Sequence, residues 1–198
     1  MPRVTDEYLA ARREHILAAA AVRFSRDGFH QTSMQDVIEE ADLSPGAVYR
    51  YFRSKDDIIM AISLQATEAV QTVVREALET HRPLPDLMAE LPSAFEELDH
   101  AEARMRLAVQ AWGEALRNPK LAEAMREGIE GVQAALRDRV TMGQREGEIT
   151  TDVSPDEAAH ALLSLIQGFL LQHSWNPRLS ATTYGHGTRA VVAGLLAR

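Results

Sequence analysis

The stretch Thr32-Ser33-Met34-Gln35-Asp36-Val37-Ile38-Glu39-Glu40-Ala41-Asp42-Leu43-Ser44-Pro45-Gly46-Ala47-Val48-Tyr49-Arg50-Tyr51-Phe52-Arg53-Ser54-Lys55 holds three helix starts in close succession. Thr32 predicts an N-cap, and Gln35 three residues later predicts the returning bond of a capping box. Met34, Val37, Ile38 and Ala41 then share one face of a short helix. Asp42 and Leu43 predict a turn, and aspartate accepts a left-handed backbone better than most residues. Ser44-Pro45 is a serine cap with proline at the first helical position. The helix it opens, through Ala47 to Tyr51, is too short to stand alone, because a first turn fixes several residues for one hydrogen bond. Neighbours must brace it, as in a helix-turn-helix, where one helix supports and the next enters the major groove. Ser54 starts a longer helix, with Asp56 and Asp57 where carboxylates meet the positive helix end.

The side chains of the short helix suit nucleic acid. Tyr49 and Tyr51 offer hydroxyls, Arg50 a planar fork and Lys55 a point charge for phosphate. Ser44 and Gly46 sit at a helix start, where free N–H groups favour an anion. Gly46 and Ala47 are small enough to let the helix end approach base edges.

Outward from this stretch, the chain of 198 residues reads as helix throughout. Leu9, Ile16, Leu17, Ala20 and Phe24 recur at helical spacing before Gly28, a glycine placed to end a helix. After Ser54, the residues Ile58, Ile62, Ala66, Ala69, Val73 and Leu78 form the buried stripe of a long helix. Further helices are predicted over 86–98, 101–116, 119–145, 155–175 and 180–196, with proline or glycine between them. The expected architecture is all-α: a three-helix helix-turn-helix head over residues 1–55 and a larger helical body over 56–198.

The net charge of -8 alone argues against nucleic acid. Its distribution matters more. Residues 1–60 hold eight Lys/Arg against ten Asp/Glu, and the rest hold 13 against 19, so the acid excess sits mainly in the body. There is no cysteine, which excludes disulfides and thiolate metal sites. No apolar run reaches the roughly 18 residues of a membrane span, and the first residues lack the apolar stretch of a signal peptide. A cytoplasmic protein without a membrane partner is expected. Nothing in the sequence calls for a cofactor.

The run from Thr32 through Ile58 resembles the DNA-binding head of the tetracycline-repressor (TetR) family, with Ser44, Gly46, Tyr49, Tyr51-Phe52 and Ser54-Lys55 in one register. The resemblance covers roughly the first 60 residues. It implies phosphate contacts from Thr32 or Ser33, and base or nearby backbone contacts from Ser44, Pro45, Gly46, Ala47 and Arg50. Tyr49, Tyr51 and Lys55 would hold phosphates, with Val48 and Phe52 in the core. Asp42 stands where the family often has glycine, and Ile38 where it often has alanine. The resemblance further implies a homodimeric repressor on a double-stranded DNA operator, with a small apolar or amphipathic effector in the body.

Leu162, Leu165 and Ile166, continued by Val191 and Leu195, predict a helical dimer interface, with Gly168, Ala190 and Gly194 allowing close approach. The same residues would equally serve a monomer's core. Met88, Phe95, Met105, Trp112, Gln167, Phe169 and His173 are candidates for an effector pocket, since Met and Trp make adaptable walls. They would equally serve as plain core, and His173 fits a dimer interface or helix end. Rival functions remain: a regulator without an effector, an architectural DNA binder, and a di-iron helical enzyme. The last rests on Glu97-x-x-His100 and Glu157-x-x-His160, whose spacing puts two ligands on one helix face. No catalytic residues are expected.

Overall fold

Side-chain caps and glycines set the helix boundaries. In the computed structural model, which describes residues 5–80 and 82–196 with side chains through Gly194, nine helices and no strand occur among the described residues. Thr5 caps α1 (Asp6–Asp27), which ends at Gly28 with φ 86° and the Gly28 N–H on the Phe24 carbonyl. The cap of α2 (Met34–Glu40) is Ser33, with Asp36 as its reciprocal partner, and not Thr32 with Gln35. The frame shifts because Thr32 turns inward and its hydroxyl donates to the Gly28 carbonyl at 2.9 Å. Asp36 takes both the N–H and the hydroxyl of Ser33 at 2.7 Å, and Gln35 pairs along the helix with Glu39.

Asp42 adopts the left-handed conformation, φ 51°, in the turn. Ser44 then caps α3 (Pro45–Tyr49), and Ser54 with Asp57 forms the capping box of α4 (Lys55–Leu78). Helix α5 (Leu84–Glu96) starts two residues before its predicted position, because a proline is tolerated in a first turn, and Pro92 lies buried inside it. Helices α6 (Ala101–Ala115), α7 (Pro119–Glu146), α8 (Pro155–Trp175) and α9 (Ala181–Leu196) complete the body.

Two large apolar cores hold the chain together, with a smaller cluster of Ala111, Leu121 and Met125 beside them. The head core joins Ile16, Leu17, Phe24 and Phe29 to Val37, Val48 and Phe52, and Phe24 meets Phe29 edge to face at 5.1 Å. It draws in Ile58, Ile62 and Ala66 of α4 and Leu107 and Ala108 of α6, so both helices pass from head to body. Arg13 lies over the Phe52 ring, and His15 Nε2 meets the Ala41 carbonyl at 2.8 Å, tying α1 to the end of α2. The body core gathers α5, α7, α8 and α9. At Gly185 a Cβ would strike the Ala89 carbonyl, so the glycine lets α9 lie directly on α5.

Leu162 and Ile166, expected at a dimer interface, are 3% and 4% exposed inside this core. Their face of α8 is already covered by the chain itself. Gly168 accommodates the Tyr184 hydroxyl, which donates to the Leu165 carbonyl at 2.8 Å, so it serves packing within one chain. Burial raises the Tyr184 pKa above its ordinary value.

Candidate nucleic-acid interface and body cavity

Val48 decides how α3 is presented. Its side chain is 0% exposed, locked into the head core, and this turns the opposite side of the helix outward. Ser44, Pro45, Gly46 and Arg50 are exposed there, Ala47 is half-buried, and Tyr49 is 47% exposed. A Cβ added at Gly46 would meet nothing within 4 Å. Arg50 makes no ion pair among the described residues. Ser33 is exposed beside α2, and Tyr51 is half-buried against the head core.

Two residues assigned to phosphate sit differently. Thr32 is 2% exposed and its hydroxyl proton goes to the Gly28 carbonyl, so its side chain is drawn away from any ligand. Lys55 is half-buried, and its Nζ donates to the carbonyls of Phe29 and Thr32, both at 3.0 Å. It braces the loop before α2 and keeps one donor over. The Ser33 cap holds the Asp36 carboxyl below the usual range, first through the Ser33 backbone N–H and then its hydroxyl.

The body reaches the head through a residue the sequence did not single out. Gln110 of α6 accepts the Phe29 N–H at 3.1 Å and donates to the Phe24 carbonyl at 3.0 Å. No local pattern marks it, because its partners lie 81 and 86 residues away.

Two residues further along α6, Trp112 walls a cavity of about 30 Å³ between α4, α6, α7 and α8. Val70, Val74, Val132, Ile166 and Leu170 are among its apolar walls, and Thr67, Gln71 and Gln167 are its polar ones. Of the seven pocket candidates only Trp112 and Gln167 line it. Met88, Phe95 and Phe169 line a separate void of about 10 Å³ between α5, α8 and α9. Met105 is buried in the body core, and His173 packs on Phe169 with ring centres 5.3 Å apart. Those five are core because helical spacing alone does not tell one buried face from another.

On the outer side of α8 and α9, Leu171, Trp175 and Val191 are exposed apolar residues, Trp175 at 66% and Val191 at 48%. The Leu195 side chain lies outside the described residues.

A family model of bacterial regulatory proteins, tetR family, matches residues 16–62, and a model of BetI-type transcriptional repressors, C-terminal, matches 83–197. The chain belongs to the TetR family. Among its TetR relatives is the transcriptional regulator UidR of Escherichia coli, 29% identical over 184 residues, which cover 93% of this chain and 92% of UidR. The structure of Salmonella enterica GusR superposes with a TM-score of 0.77 at 33% identity, covering 98% of this chain and 99% of GusR. A regulator from Saccharomonospora viridis, in complex with choline, shares the fold with a TM-score of 0.80 at 20% identity, covering 94% and 98%. The TetR assignment makes this chain a helix-turn-helix transcriptional regulator, and the exposed face of α3 lies within the matched head. No described helix is long and apolar enough to cross a membrane.

Proposed function

We propose that this regulator acts in the cytoplasm as a homodimeric repressor, binding a palindromic operator and leaving it when a small effector enters the body. The observation that carries the reading is the division of α3, with Val48 locked inward and Ser44, Pro45, Gly46 and Arg50 turned outward. Ser33, Tyr49, Tyr51 and the remaining Lys55 donor supply phosphate contacts around it, and Ala47 lies against the base edges. The head over 1–55 reads DNA, and residues 56–198 pair and sense.

Pairing uses the outer side of α8 and α9. Leu165, Leu171, Trp175 and Val191 supply apolar contact, and Gly187 and Gly194 have open space around them for a close second helix. One short helix binds DNA weakly, and two on one frame gain effective concentration. Their separation has to match about one helical turn, roughly 34 Å.

Sensing uses the Trp112 cavity. It has room for about two water molecules, so an organic effector enters only as the walls part. Movement of α6 would carry Gln110 and the loop it clasps, changing the spacing of the two heads. The choline complex of the Saccharomonospora viridis relative supports a small-molecule role for this body fold.

Regulation rather than catalysis also fits the Glu-x-x-His pairs. Glu157 is held by Ser154 in the α8 capping box, and Glu97 is exposed at the end of α5. Selection of bound duplexes from a random pool tests the reading. Enrichment of one two-fold-symmetric motif supports it, and recovery of unselected sequence contradicts it.

A further inference from the structure

We infer that the body cavity selects an uncharged effector, an apolar ring carrying one neutral hydrogen-bonding group, and that Gly128 makes room for the amide that reads it. The inference rests on the effector reading and narrows it.

The side chains lining the cavity include none that ionises. A buried carboxylate would need a cation beside it, and a buried ammonium would need a carboxylate. Burying either without a partner costs far more than burying a neutral group that keeps its hydrogen bonds. Trp112 and the aliphatic side chains suit a ring. The Thr67 hydroxyl already donates to the Ser63 carbonyl at 2.8 Å. Gln71 and Gln167 bond no protein group through their amides among the described residues. Each amide therefore has donors and an acceptor to offer. A hydroxyl, carbonyl or carboxamide satisfies them without bringing charge.

Gly128 stands inside the 28-residue α7, where glycine costs about 1 kcal/mol relative to alanine. Its neighbour explains it. A Cβ there would overlap the Gln71 amide nitrogen, with Cδ at 2.8 Å and Oε1 at 3.0 Å. Gln71 thus lies directly on the α7 backbone at the cavity wall. Gly131, one turn on, has nothing within 4 Å of its Cβ position, so the need for glycine is local to 128. A methyl at 128 would push the amide off this seat toward the free volume beside it.

Calorimetric titration of the full chain with benzyl alcohol, benzoate and benzylamine separates charge from shape, since the three share one ring. Benzyl alcohol is expected to bind at least about tenfold more tightly than either ion. Gly128→Ala is expected to weaken benzyl alcohol by a similar factor, about tenfold, at unchanged operator affinity, Gln71→Ala to weaken it comparably, and the two together to lose no more than either alone. Equal or tighter binding of an ion, no binding of benzyl alcohol, or an unaffected Gly128→Ala variant overturns the inference. Operator binding measured on the same preparation reports separately on the regulator reading. A wild-type chain that binds its operator but none of the three compounds defeats the inference alone.

Discussion

Gln110 receives the Phe29 N–H at 3.1 Å, a bond from the body helix α6 to the loop that leads into the DNA-reading unit. The other half of the same amide donates to the Phe24 carbonyl, which also accepts the Gly28 N–H at 2.9 Å. The two ends of Gln110 are therefore unequal. Gln110→Ala strands the Phe29 N–H and is expected to cost about 1–3 kcal/mol. Gln110→Glu keeps the acceptor but sets a carboxylate oxygen against the Phe24 carbonyl oxygen in a part-buried site, two acceptors with no proton between them, so at neutral pH it is expected to cost more than the alanine. Urea unfolding of the two variants checks the order, and equal losses would contradict it.

Lys55 answers Gln110 from the other side of the loop by binding the carbonyl of the same Phe29. Lys55→Ala is expected to lower the melting temperature and to weaken binding to every DNA sequence alike. Its third donor, if spent on phosphate, makes the slope of log affinity against log salt shallower by about one. Affinity measured across a salt series reads this, and an unchanged slope would leave Lys55 as a brace only.

The helical plan was legible in the sequence because caps and breakers are local. Ser44-Pro45, Ser54 with Asp57, Ser154-Pro155 and Gly147 stand where the helices begin or end. The left-handed turn at Asp42 was legible for the same reason. Thr32 misled because two adjacent hydroxyls compete for one cap, and the choice went to Ser33 once Thr32 bonded Gly28, a contact from the preceding turn. The body was less legible. Leu162 and Trp175 lie on one apolar helix, yet Leu162 is buried within the chain's own body core and Trp175 is exposed. Which face meets which neighbour depends on the packing of distant segments. Gln71 and Gly128 were invisible for that reason, being 57 positions apart and meeting only when α4 crosses α7.

Val191 is exposed on α9 while Leu162 is not exposed on α8, so substitutions there should separate pairing from folding. Val191→Asp is expected to shift the protein from dimer to monomer with a near-normal melting temperature, and to cut operator affinity. Leu162→Ala is expected to cost about 2–5 kcal/mol of stability as a core truncation. Sedimentation and thermal melts distinguish them. A Val191→Asp protein that remains dimeric would place the interface elsewhere.

The Ser33 cap gives the head an acid-sensitive bond. The Asp36 carboxyl is held below its ordinary pKa of 3.8 in the fold, so its contribution is present above that value and lost as pH falls through the lower folded one. Ser33→Ala removes the hydroxyl's share of this effect and leaves the larger share, from the Ser33 backbone N–H. The variant's melting temperature should fall relative to wild type at neutral pH, and the gap should narrow below about pH 4. A gap that stays constant into acid would assign the effect to something other than this carboxylate.

Gly46 offers the sharpest separation of fold from function, because space is open around it at the exposed start of α3. Footprinting of wild type and Gly46→Trp on one operator uses that property. Wild type is expected to protect two symmetric half-sites about one helical turn apart, and the variant to protect neither while keeping its melting temperature and its dimer. Protection of a single unpaired site by wild type, or an unchanged footprint with Gly46→Trp, would contradict a paired presentation of α3 to DNA.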